Sequence, residues 1–318
     1  MLSRIAESLF WIGRYVERAE HTARILEVQL RHFVEEPTVP TALACANMLT
    51  LMGVPPATYE PLLDPDDPQG DHRALMRTLA YDREQPTSIA YCWVQARDNA
   101  RRAREVIPSS VWEVVNTTWQ ALPTGYADVM HQHGYLSWAR EQATLFYGTA
   151  RELMMRDEGW QFLQLGRSLE QADMTARLLT STTFAQGAVP WASVLRGCDA
   201  HDAFLRTNRG WREHWLAAQF LIQEHDFPRS LLHGLSRAAG ALEAVSPDAH
   251  GVGRPGEARY ELGRLTQSLA YTPPDELLDD LAGLMAEVQR TCQQVTTAIT
   301  QQFFATAEEQ AWSTEETH

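Results

Sequence analysis

Gly13-Arg14-Tyr15-Val16-Glu17-Arg18-Ala19-Glu20-His21-Thr22-Ala23-Arg24-Ile25-Leu26 returns later in the chain as Gly166-Arg167-Ser168-Leu169-Glu170-Gln171-Ala172-Asp173-Met174-Thr175-Ala176-Arg177-Leu178-Leu179, with eight of fourteen positions identical. Repeats of this kind are read before the fold is judged. At 3.6 residues per turn, Leu9, Ile12, Val16, Ala19, Ala23 and Leu26 form one apolar stripe. Phe162, Leu165, Leu169, Ala172, Ala176 and Leu179 form the same stripe in the second copy, and the alanines allow close helix approach. On the other side run Arg14, Glu17, His21 and Arg24, matched by Arg167, Glu170, Met174 and Arg177. Glycine costs about 1 kcal/mol relative to alanine inside a helix. Its presence at both Gly13 and Gly166 predicts the close approach of a backbone or a ligand.

Working outward, helical periodicity continues through most of the 318 residues and no segment alternates persuasively as a strand. The pattern predicts helices near 3–33, 41–53, 71–82, 87–106, 110–122, 135–156, 158–181, 191–206, 208–224, 228–244, 257–270 and 275–305. Breaks fall at 36–40, 54–71, 246–256 and 272–274. Ser110-Val111-Trp112-Glu113 reads as a capping box, and Pro228 suits a first helical turn. A weaker echo links Asp98-Asn99-Ala100-Arg101 to Asp226-Phe227-Pro228-Arg229. The expected fold is all-α, a multi-helix bundle from two diverged tandem copies over 1–155 and 156–305, with an acidic, frayed tail at 306–318.

Composition removes several function classes. A net charge of −14 argues against a generic nucleic-acid binder and against docking on an anionic membrane. There is no lysine, so all 27 basic side chains are arginine. Drift in a GC-rich genome accounts for that, but the chemical consequence stands. A phosphate-loop NTPase or a Schiff-base enzyme cannot be built from these side chains, whereas arginine forks suit the clamping of anions. Cys45, Cys92, Cys198 and Cys292 are widely spaced and read as reduced core thiols of a cytoplasmic protein. The N-terminus lacks a signal-peptide pattern, and no apolar run approaches the roughly 20 residues of a membrane span.

The polar stripe has two readings, a solvated face carrying i, i+3 ion pairs or a sheltered network. Retention of Arg, Glu and Arg in both copies favours shelter. A buried Glu between arginines keeps its charge and makes a poor general acid. It would orient the arginines toward a bound carboxylate or phosphate, or serve an internal structural network. Arg97, Arg101 and Arg104 share one helix face, as an anion patch or as a solvated surface. Glu17 and His21 offer two metal ligands, but Met174 replaces the histidine in the second copy and no Glu-x-x-His pair completes a di-iron set, so no metal is expected. His131-x-His133 carries little alone, and Arg156-Asp157-Glu158-Gly159-Trp160 is either a helix junction or a rim of the site. No nucleophile-elbow, dinucleotide or zincin motif is present.

At these residues the chain resembles the alpha-E family, a bacterial all-helical domain named for helical glutamate and Glu-Arg motifs. The resemblance rests on 1–20, Asn99-Ala100-Arg101, 156–160, Leu165-Gly166-Arg167 and Asp226-Phe227-Pro228-Arg229-Ser230, and spans the chain to about Phe304. It implies a circularly permuted ATP-grasp ligase as operon or fusion partner, often with a transglutaminase-like peptidase nearby. The setting it implies is ATP-dependent amide or peptide bond formation, or peptide modification, on a peptide or amino-acid substrate. This chain would need no cofactor of its own, with ATP handled by the ligase. Three roles follow. In one, the chain is a subunit holding substrate through Arg14, Arg18, His21, Arg24, Arg101, Arg167 and Arg177. In another it is an acyl or aminoacyl transferase using Glu17 or Glu170 as catalytic residue. In the third it is a non-catalytic scaffold. One departure from the pattern is Glu170-Gln171 where the first copy has Glu17-Arg18. It predicts that Glu17→Gln disturbs its site more than Glu170→Gln, because Arg18 would add a charge there.

Overall fold

The computed structural model describes residues 1–35, 39–123, 129–185, 188–208, 214–246 and 253–304. In chain order the helices are α1 (Ser3–Glu35), α2 (Thr41–Leu51), α3 (Pro56–Tyr59), α4 (Pro68–Met76), α5 (Ile89–Arg102), α6 (Ser109–Gln120) and α7 (Val129–Leu153). They continue with α8 (Glu158–Thr180), α9 (Trp191–Gly197), α10 (His201–Thr207), α11 (His214–Gln223), α12 (Leu231–Val245), α13 (Ala258–Tyr271) and α14 (Leu281–Ile299). Among the described residues there is no strand, so the fold is all-α. No helix described is long and apolar enough to cross a membrane.

α1 and α8 form the central pair, flanked by α5 and α7 on α1 and by α12 and α14 on α8. Both predicted apolar stripes are buried, with Val16, Ala19, Ala23, Leu169 and Ala176 sealed from solvent, and one continuous core runs from Ile5 to Phe304. The paired glycines are explained by backbone contact. A Cβ on Gly13 would lie 2.2 Å from the Leu163 carbonyl oxygen, and one on Gly166 would lie 2.0 Å from that of Phe10. The helices therefore cross at the two glycines, and no ligand cleft separates them.

Several local readings are corrected. The helix expected at 110 begins at Ser109 behind Pro108, with no side-chain cap, so Ser110 makes no capping box. Pro228 precedes α12 rather than entering it. Ser230 is the cap, accepting from the His233 amide, as Ser88 caps α5 by accepting from the Tyr91 amide. The helix expected over 191–206 is broken between α9 and α10 by Asp199, which takes a left-handed φ of 50°. α2 ends in the same way on Gly53, at φ 76°. Each end closes with a bond from the residue after the left-handed one to the carbonyl five residues back, Val54 to Leu49 (2.9 Å) and Ala200 to Leu195 (2.8 Å). Asp tolerates this conformation better than most side chains, though less well than Gly. The first residues of the helix expected from 208, and the tail at 306–318, lie outside the described residues.

Candidate functional site

The polar stripes meet across the α1–α8 contact, and their pairing is crossed. Arg14 donates through Nε to Glu170 Oε2, and Arg18 donates to Glu170 Oε1 at 2.6 Å and to Oε2 at 3.0 Å. Arg167 returns the arrangement, its Nε donating to Glu17 Oε2 at 3.1 Å. Both carboxylates are fully buried. Burial alone would raise the Glu170 carboxyl, but Arg14 and Arg18 outweigh it and hold it near 2. Burial likewise acts against the Glu17 charge, and the Arg167 guanidinium, with Arg229 further off, overcomes it and lowers that carboxyl strongly. Both glutamates are thus held ionised at neutral pH, which suits holding cations and not donating a proton.

The crossing corrects the reading of Arg18. It neighbours Glu17 in sequence but serves Glu170, so the second glutamate has two arginines and the first has one. Gln171, which stands where the repeat has Arg18, instead donates to the Pro228 carbonyl, while Arg18 Nη1 reaches the Pro86 carbonyl at 3.3 Å. Thr22 and Thr175 donate to the Thr87 and Arg229 carbonyls. These contacts align Pro86-Thr87-Ser88 with Pro228-Arg229-Ser230, and replace the sequence echo drawn from Asp98–Arg101.

The Glu170 constellation is closed. Arg14 also donates to Thr296 at 2.6 Å, and Arg177 binds Asp173 and the Leu51 carbonyl at the end of α2. Around Glu17 the network is longer and less complete. Arg229 Nη1 lies 3.2 Å from His21 Nε2, and its Nη2 donates to Glu20 at 2.7 Å. Since guanidinium only donates, His21 Nε2 accepts from it. Glu17 Oε1, 3.4 Å from the same ring nitrogen, is left without a hydrogen bond. Arg24 grips Glu20 through two nitrogens and also binds Asp199. Arg167 lies 3.6 Å from the Tyr147 ring centroid, while the Tyr147 hydroxyl donates to the Gly13 carbonyl. Among the described residues the terminal nitrogens of Arg167 make no hydrogen bond, and its side chain is 24% exposed. Beside it Arg237 binds Gln164 Oε1, while the buried Gln164 Nε2 has no partner. Burial and the nearby Arg167 charge both press the Arg237 pKa downward.

Of the candidate residues, Arg14, Arg18 and Arg177 join the closed side, and His21, Arg24 and Arg167 join the open one. Arg101 is exposed at the end of α5 and joins neither. Arg97 and Arg104 pack over Trp119 and Trp112, Arg156 covers Trp160, and His133 faces Glu27 at 3.6 Å; the His131 side chain lies outside the described residues. The sequence reading missed Arg229, Arg237, Gln164, Tyr147 and Asp199. Pro228-Arg229-Ser230, set against Pro86-Thr87-Ser88, was the available signal for Arg229.

An all-helical bundle with arginine–glutamate pairs crossed through its centre is the class these features define. The chain belongs to the Alpha-E family, described as a predicted alpha-helical domain with a conserved ER motif, which it matches over residues 1–304. Its own Glu-Arg dipeptide is Glu17-Arg18. It is similar to uncharacterized proteins of Mycobacterium bovis and Mycobacterium tuberculosis, 26% identical over an alignment 325 residues long, gaps included, that takes in 93% of this chain. The chain spans 36% of the length of these relatives. No solved structure matches it.

Proposed function

We propose that this chain is a helical component of an ATP-grasp-associated system that forms amide or peptide bonds or modifies peptides. Its task is to hold an anionic group of the substrate, carboxylate or phosphate, on the open side of the Glu17 constellation. The observation that carries the binding role is the inequality of the two glutamates. Glu170 is closed by two arginines, whereas Arg167 offers terminal donors beside Arg237 with no protein acceptor among the described residues. Two neighbouring, partly buried cations attract an oxyanion. Glu17 positions Arg167, and the closed Glu170 side is a structural counterpart. The matching halves are read as copies of one ancestral unit.

The setting rests on the family resemblance, with two supports. The absence of lysine excludes a phosphate-loop ATP site in this chain, in keeping with activation by a circularly permuted ATP-grasp ligase. The greater length of the relatives is in keeping with a domain that works beside others. A transglutaminase-like peptidase is a further candidate partner, and the cytoplasm is the proposed location.

The test is a reconstituted reaction of the ligase with ATP, amino acids and acidic peptides, followed by mass spectrometry. Product is expected to need both proteins, and Arg167→Gln should raise KM roughly tenfold with kcat little changed. Equal product from the ligase alone would overturn the reading, and turnover by this chain without ligase or ATP would make it a transferase.

A further inference from the structure

A groove of about 440 Å³ opens between α1, α7, α9 and α10, lined by Arg24, Arg31, Arg140, Arg196, Asp199 and His201. Its volume is in the range that holds small ligands. Asp199 adopts the left-handed backbone conformation that Gly53 supplies at the end of α2. Its carboxylate is half exposed, yet it is drawn onto Arg24 and lies 3.7 Å from Arg140. Arg140 also binds Glu27, and its Nε is buried with no hydrogen-bond partner. Arg31 stands at the rim, its side chain 55% exposed.

We propose that this groove is a carboxylate-binding site, and that Asp199 sits where the carboxylate of a small acidic ligand binds. Arg24 and Arg140 already converge on one carboxylate, and a guanidinium pair grips a second equally well. An ion pair with a half-exposed partner is weak, so a ligand displaces it at small cost. Glu27 and Asp202 remain at the groove. They repel a dianion more than a monoanion, which favours carboxylate over phosphate. Val28 and Gly197 provide an apolar wall for the methylenes of an amino-acid-sized ligand. The site uses none of the free donors of Arg167, so it stands or falls separately from the reading above.

Isothermal titration with N-acetyl-L-glutamine, which carries a single carboxylate, and with inorganic phosphate tests the assignment on the full chain. Asp199→Gly keeps the left-handed turn and removes the competing carboxylate, and Asp199→Asn keeps the side chain's shape. Both should tighten N-acetyl-L-glutamine binding by roughly threefold or more. Arg140→Gln should weaken it about tenfold. Circular dichroism melts confirm that each variant is folded before titration. Unchanged or weaker binding by both Asp199 variants would overturn the seat. Tighter binding of phosphate than of N-acetyl-L-glutamine would overturn the ligand class.

Discussion

Arg14 serves Glu170 on the neighbouring helix rather than Glu17, three residues along its own. With Arg167 on Glu17 as the return contact, each half of the bundle neutralises the buried charge of the other. The helix crossing and the ion pairs are one feature, because the contact at Gly13 and Gly166 brings the pairs into reach.

Glu170→Gln leaves Arg14 and Arg18 without their shared carboxylate, a loss of roughly 3–5 kcal/mol for a broken buried pair. Glu17→Gln strands one close arginine and should cost less. Thermal and urea unfolding of the two variants measure this, and an equal or reversed order would contradict the crossed pairing.

Gly13→Ala and Gly166→Ala place a methyl against backbone that cannot swing aside. Each should destabilise by roughly 2–4 kcal/mol through overpacking. Gly148→Ala on α7 meets nothing within 4 Å and should be neutral or gain up to about 1 kcal/mol from helix propensity. Similar melting temperatures for Gly13→Ala and Gly148→Ala would show that the helices do not touch at the glycine.

Acid should unfold the chain through the same carboxylates. A depressed native pKa contributes stability above the unfolded value of 4.5, and that stability is lost as pH falls toward about 2 for Glu170. Unfolding free energy should therefore drop steeply below 4.5, and Glu170→Gln should flatten the drop. A slope unchanged in that variant would assign the acid sensitivity elsewhere.

The four cysteines are buried, and burial pushes Cys92 and Cys198 up to about 12 and Cys45 and Cys292 further. Native chain should resist thiol-specific labelling at pH 8 and label fully in denaturant, since the thiolate is the reactive form. Rapid labelling without denaturant would contradict that burial.

The helical stripes were legible because a 3.6 period marks a buried face wherever the partner lies. The glycine pair was legible too, since a residue that weakens a helix, present at the same place on two matching helices, points to close contact there. The partner of each arginine was not. Arg18 follows Glu17 directly, and only the crossing of α1 over α8 hands it to Glu170. Asp199 escaped notice because the glycine at the end of α9, Gly197, lies within the helix, and an aspartate fills the left-handed position two residues on. Arg229 and Arg237 reach the network from α12 and the turn before it, far from the repeat in sequence.

The crossed arginines also bear on biosynthesis. A chain leaving the ribosome exposes Glu17 well before Arg167, and Arg14 well before Glu170. The first half therefore emerges with charged groups whose counter-ions are still to be translated, so its central helix has reason to stay undocked until α8 arrives. Separate expression of the halves would leave each lacking the other's ions, and mixing them should restore helicity only when both are present.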